Sequence, residues 1–196
     1  MSHAVNDEAL DTIFRNARTH RHWQDKAISP ALLMAIYDLM RWGPTSANVS
    51  PARVAFVVSK EAKERLKPHL DAGNVRQTME APATAIVGYD LDFVRHVPKL
   101  YPQSPNAKDW FKEPKRVERT AFRNGSIQGG YFVVAARALG LDCGPMSGFN
   151  NEGVDREFFA GTAVKSNFLC NLGYGDPAHL RERGPRLSFD EACKIV

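Results

Sequence analysis

The chain has 196 residues, 43% hydrophobic and 24% charged, with a formal net charge of +4. That length suits one domain, 1–196, around one core, and the composition is that of an ordinary globular protein. There is no apolar run near the ~20 residues of a membrane span, no apolar signal core at the N-terminus, and no lysine–arginine block for nucleic acid, so the cytoplasm and small-molecule ligands are the expectation.

The first helix is predicted over Asp7–Ala17, where Leu10, Ile13, Phe14 and Ala17 recur at helical spacing. A second follows Ser29 as N-cap and Pro30 in the first turn, with Leu32, Leu33, Ile36, Tyr37 and Met40 on one face. A strand over Val54–Ser59, a charged helix over Lys60–His69, a helical turn over Asn74–Met79 and a strand over Ala83–Tyr89 come next. Residues 91–116 hold four prolines among Phe93, Tyr101, Trp110 and Phe111; they read as an irregular excursion with short helical pieces and as a candidate lid. The longest helix is expected over Val117–Leu139, ended by Gly140. Gly125 and Gly129 inside it each cost roughly 1 kcal/mol against alanine, so they predict close approach of another backbone, including a helix of a second subunit. Strands over Leu141–Cys143 and Asn167–Tyr174 flank a short helix ending near Phe159, and Ser188–Ile195 forms a last helix or arm. Helices around a few apolar strands give an α+β sandwich.

Several chemistries are not supported. The chain lacks the glycine patterns of dinucleotide-binding and P-loop sites, and the serine of Gly144-Pro145-Met146-Ser147-Gly148 is one place late for a nucleophile elbow. Cys143, Cys170 and Cys193 have no Cys-x-x-Cys spacing, so neither a disulfide framework nor a zinc site is expected. His20 and His22 would share a face on a strand, but no third metal ligand is near, and no metal is expected.

The most informative stretch is Gly43-Pro44-Thr45-Ser46-Ala47-Asn48-Val49-Ser50-Pro51, a stiffened polar loop behind an apolar helix. It offers hydroxyls and a carboxamide, which suit the edge of a flat heterocycle rich in acceptors. Together with Arg18-Thr19-His20, Asn74 and Gln77, Gly144-Pro145-Met146-Ser147-Gly148 and Pro185-Arg186, this loop resembles the flavin-binding segments of the nitroreductase family of FMN enzymes. The likeness covers nearly the whole chain. Arg41-Trp42-Gly43-Pro44-Thr45-Ser46-Ala47-Asn48, Thr120-Ala121-Phe122-Arg123-Asn124 and Arg186-Leu187-Ser188-Phe189 carry a closer resemblance to the branch that reduces malonic semialdehyde in bacterial pyrimidine degradation.

The resemblance implies a three-layer α+β sandwich with a mostly antiparallel central sheet, a homodimer, and FMN at the subunit interface with NAD(P)H as co-substrate. Arg18, His20 and Arg186 would hold the phosphate and ribityl chain, and His22 would lie near the pyrimidine edge. Pro44, Thr45, Ser46 and Asn48 would reach the flavin from the other subunit. Asn74 and Gln77 would bond the ring's polar edge, and Pro145, Met146, Ser147 and Gly148 would lie over its central ring, Gly148 admitting close backbone approach. Two departures stand out: many nitroreductases carry an acidic residue in place of Ser147 and a lysine in place of Gly184, whose work would pass to Arg181 or Arg183.

The implied reaction is ping-pong: the flavin takes hydride from NAD(P)H and passes it to an acceptor, with no protein nucleophile. The expected acceptor is a small carbonyl compound, malonic semialdehyde going to 3-hydroxypropionate. Arg123, Lys108, Arg116 and Arg119 are the candidate cations for its carboxylate. A general NAD(P)H nitroreductase or quinone reductase, and a non-catalytic flavin-binding protein, are the alternatives.

Overall fold

The computed structural model describes residues 3–196, and several of its helices begin where side chains cap free backbone N–H groups. Asn6 accepts from the Ala9 N–H and opens α1 (Asp7–Leu10), which continues as a π turn over Asp11–Arg15. Ser29 caps α2 (Pro30–Met40) as predicted, and Leu33, Ile36 and Met40 are its buried face. After β1 (Ala52–Val57), Ser59 caps α3 (Lys60–Leu66), and a 3₁₀ turn over Lys67–His69 completes the predicted charged helix. Then come α4 (Ala72–Glu80) and β2 (Ala83–Asp90).

The excursion contains 3₁₀ turns over Phe93–His96 and Pro105–Phe111 with α5 (Val97–Leu100) between them. It is not loosely held. Phe93, Val97, Ala107 and Phe111 form a small apolar cluster with Val49 and with Ala121 of α6 (Pro114–Ala138). The chain ends with β3 (Asp142–Met146), α7 (Asn151–Phe158), β4 (Val164–Gly173) and α8 (Phe189–Ala192).

The sheet runs β1-β2-β4-β3 and every neighbouring pair is antiparallel. Alternation along β2 builds a three-layer sandwich: Ala85 and Val87 meet α2 and α6 on one face, while Ile86 meets Leu66 of α3 and Val154 of α7 on the other. The α+β sandwich is therefore the observed fold. Strand β1 starts two residues before its predicted bound, because the Ala52 N–H finds the Gln128 side chain and Ala52 pairs with Tyr89.

The glycine argument is right in kind and wrong in partner. A Cβ on Gly129 would lie 2.5 Å from Phe168, and one on Gly125 2.8 Å from Tyr89. The close approach is that of α6 to its own sheet, so these glycines do not mark a subunit contact. Gly140 ends the helix with φ +78°, as the sequence predicts. On the outer face of α6, Phe122, Ile127 and Tyr131 remain exposed. Among the described residues no helix is long and apolar enough to cross a membrane.

Candidate functional site

The segment Thr19–Gln24 is stitched along the free edge of β3. Thr19 bridges Cys143 in parallel fashion, the His20 N–H donates to the Cys143 carbonyl at 3.0 Å, and Trp23 bridges Gly175. The Gln24 N–H donates to Tyr174 and the Asp176 N–H to His22, so the segment also fixes the start of the tail. Trp23 Nε1 donates to the Gln77 carbonyl at 2.9 Å and ties the segment to α4.

Between this segment, α4 and the tail lies a cleft of about 500 Å³. Arg18 and Arg21 enter it from the segment, Arg76 from α4, Arg137 from α6, and Arg181, Arg183 and Arg186 from the tail. The only carboxylate among its lining residues is Glu182. The tail is held back over the segment by its own arginines. Arg183 donates to the carbonyls of Arg15 and Ala17, and Arg18 donates to the carbonyl of Arg181. Each guanidinium has five N–H groups, so donors remain for an anion after these bonds are made.

The amide end of the cleft is a small network. Gln77 Nε2 donates to Asn74 Oδ1 at 2.6 Å, and Asn74 Nδ2 donates to the Gly148 carbonyl at 2.8 Å. Gln77 lines the cleft, while Asn74 couples it to the Pro145–Gly148 segment. Met146 turns its sulfur toward Gln77 and Thr78, and so packs under α4. At Gly148 a Cβ would lie 2.6 Å from Asn74 Nδ2 and 2.7 Å from the Asp71 carboxylate. The space is filled by the start of α4. Pro145 and Ser147 are exposed beside this network.

His20 is separated from the cleft. Its ring is buried, packed over Gly175 and 3.3 Å from the Asp142 carboxylate. His22 instead lines the cleft and stacks on His179 with centroids 4.4 Å apart. The two histidines do not share a face, because only isolated bridges, and no regular strand, hold the segment. Arg21, Arg76, Arg137 and His179 were not singled out in the sequence. Gly73, Arg76 and Gln77 recur at i, i+3, i+4, so helical periodicity from Gln77 would have reached Arg76. Lys108, Arg116, Arg119 and Arg123 do not line the cleft.

Nor does any residue of the Pro44–Asn48 loop. Thr45 Oγ1 accepts from the Ser50 N–H at 3.1 Å, the Ser46 N–H donates to Asn124 Oδ1 at 2.9 Å, and Asn48 Nδ2 donates to the Leu100 carbonyl at 2.8 Å. Ala47, Asn48 and Ser50 have φ of 48°, 51° and 40°, the left-handed region that side chains disfavour. Beside the loop, a second cavity of about 540 Å³ runs along the free edge of β1, lined by Tyr37, Arg53, His96 and Lys99 among others.

Residues 14–174 match the Nitroreductase family. The chain belongs to that family. A protein of Stenotrophomonas maltophilia, provisionally named NADH dehydrogenase/NAD(P)H nitroreductase, is 58% identical over the full length of both chains. A protein of Cupriavidus pinatubonensis with the same provisional name is 53% identical over 97% of this chain and 98% of its own. Among solved structures, a nitroreductase of Exiguobacterium sibiricum in complex with FMN superposes with a TM-score of 0.87 over 100% of both chains at 16% identity, a likeness of fold. Gly184, set against a family lysine in the resemblance above, lines the cleft. The flanking Arg181 and Arg183 both line the cleft, so positive charge is present there without that lysine.

Proposed function

We propose that this nitroreductase binds FMN in the arginine-lined cleft, oxidises NAD(P)H, and reduces a small carbonyl acceptor, with malonic semialdehyde going to 3-hydroxypropionate. The observation that carries this reading is the lining of the cleft: seven arginines against one glutamate, with the Gln77 amide among them and Asn74 bonded behind it. The arginines suit a phosphate monoester, which Arg18, Arg183 and Arg186 can meet with paired N–H donors. The amides suit the acceptor-rich edge of a flat heterocycle. The FMN complex of the Exiguobacterium protein and the names of the curated relatives support the same cofactor and donor.

Bound FMN would supply the chemistry, accepting hydride from NAD(P)H and donating it to the acceptor. The chain's part is to hold and orient. Arg18, Arg183 and Arg186 fix the anionic end, and Asn74 and Gln77 fix the ring edge. The excess of cations in the cleft draws anionic reactants toward it. The carbonyl oxygen of the acceptor takes its proton from water.

The functional unit is a homodimer in this reading. Exposed Trp42, Phe122, Ile127 and Tyr131 offer an apolar surface beside the loop, and a second copy seated there would bring Pro44, Thr45, Ser46 and Asn48 to its partner's cleft. A general nitroreductase or quinone reductase is the second reading, favoured by the names of the relatives.

The visible spectrum of the purified protein, followed by anaerobic NADPH and then NADH, tests the cofactor. Flavin bands that bleach are expected. Bands that persist with both donors would leave a non-catalytic flavin protein, and failure to bind added FMN would refute the site. The substrate is then tested by comparing kcat/KM for malonic semialdehyde and for a nitroaromatic; a preference for the nitroaromatic would select the second reading.

A further inference from the structure

Seven arginines and one glutamate line the cleft, and Glu80 beside it pairs with Arg76, which leaves an excess of five positive charges. Guanidinium groups cannot relieve their repulsion by losing protons, so the cleft favours a bound anion. A phosphate monoester brings at most about two negative charges near neutral pH. The excess is larger than one such group neutralises, and five of the arginines divide into two places. Arg18, Arg181, Arg183 and Arg186 belong to the seam between segment and tail, where Arg18 donates to the Arg181 carbonyl, Arg183 to the Arg15 and Ala17 carbonyls, and Arg186 to the Gly184 and Pro185 carbonyls beside it. Arg76 stands on α4, in contact with His22.

The partner of Arg76 does not match it. Its Nη1 and Nη2 lie 3.0 Å from Nδ1 and Nε2 of His22 respectively. A neutral imidazole has one acceptor nitrogen and a protonated one has none, so His22 accepts at most one of the two contacts. Glu80 takes another bond from Nη1 at 3.0 Å and fixes the guanidinium from the far side. His22 is braced in turn by His179, whose Nδ1 lies 2.7 Å from the Asp176 carboxylate. The fork is positioned and half exposed to water, and one of its N–H groups meets no good acceptor within the protein. Two oxygens on one anion would satisfy the fork where two ring nitrogens cannot.

The geometry points to a second anion position in the cleft, formed by Arg76 and braced by His22 and His179, that takes a phosphate monoester or carboxylate of a reactant. The inference rests on the oxidoreductase reading above. The anion has two sources with shared chemistry: the 2′-phosphate of NADPH, or the carboxylate of an acceptor such as malonic semialdehyde.

Calorimetry on the purified protein and on Arg76→Gln separates the sources. The probes are 2′-AMP against adenosine, and malonate against malonamide. Wild-type protein is expected to prefer one anion to its neutral counterpart, and Arg76→Gln to weaken that anion about tenfold, the loss of a charged hydrogen bond, while leaving the neutral probe unchanged. Weakening of 2′-AMP identifies the NADPH phosphate, and the KM for NADPH should then rise without that for NADH. Weakening of malonate identifies the acceptor. Wild-type protein that prefers neither anion, or an Arg76→Gln variant that binds both as before, overturns the proposal. So does loss of FMN from Arg76→Gln with both anion affinities intact, which would place Arg76 on the cofactor. Protein that takes up no FMN yet discriminates an anion through Arg76 would refute the parent reading and leave this position standing.

Discussion

The cleft and the Gly43–Pro51 loop are both rich in polar side chains, and they use them in opposite ways. In the loop the polar groups are turned onto backbone: Thr45 on Ser50, Asn48 on Leu100, and Asn124 of α6 on Ser46. In the cleft Arg18, Arg137, Arg183 and Arg186 each make one or two bonds to carbonyls and keep their other donors. The cleft is thus a set of unspent donors converging on a space within one chain. The loop is a shape, held against its own backbone preference. Strain of this kind persists where surrounding bonds over-determine it, and it concentrates at functional sites. In the proposed homodimer this fixed loop is the part that would complete the partner's cleft.

The contrast is broken first at Arg186. If the tail arginines hold a phosphate, Arg186→Ala should weaken FMN binding by roughly 1.5–3 kcal/mol with little change in stability, because its recorded bonds are only to the neighbouring Gly184 and Pro185 carbonyls. Fluorescence titration of the apoprotein with FMN reads this directly. Unchanged affinity would mean that the cleft's free donors are not aimed at the cofactor.

Asn124→Ala should show the reverse pattern. It removes the acceptor of the Ser46 N–H from a buried position, at a cost of about 1–3 kcal/mol in urea unfolding. The tail arginines are untouched, so the phosphate end of the cleft keeps its contacts. A variant that keeps its stability would show that the loop is not held through α6.

How far the sequence disclosed all this follows the range of each contact. Ser29-Pro30 and Gly140 act on their immediate neighbours, and the helix limits they predict are the observed ones. The glycines of α6 announced close packing without saying against what, since a Cβ-free surface fits a sheet as well as a partner helix. Arg18 and Arg186 were legible as cleft residues through the family pattern. Arg76 was within reach of helical periodicity from Gln77, whereas His179 enters only when the tail folds back, held by a bond from Arg183 to Ala17 across 166 positions. His20 misled for the opposite reason. It has the charge chemistry of a phosphate ligand, but its backbone bond to Cys143 turns the ring inward to Asp142, which sequence spacing cannot show.

The smallest expected effect is the sharpest test of the loop as a strained shape. Ala47 has φ 48° and ψ 31°, left-handed for a residue with a Cβ, and that conformation costs roughly 1–2 kcal/mol. Glycine adopts it freely, yet gains about 0.4–1 kcal/mol of entropy in the unfolded chain. Ala47→Gly should therefore stabilise the protein by about 0.5–1 kcal/mol, read as a higher urea midpoint at constant slope. Ala47 also packs against the Phe93–Phe111 cluster, and the lost methyl works against the gain. Net destabilisation would mean that this contact, rather than relief of the backbone, governs the position, and that the loop is held by burial more than by its turned-in polar groups.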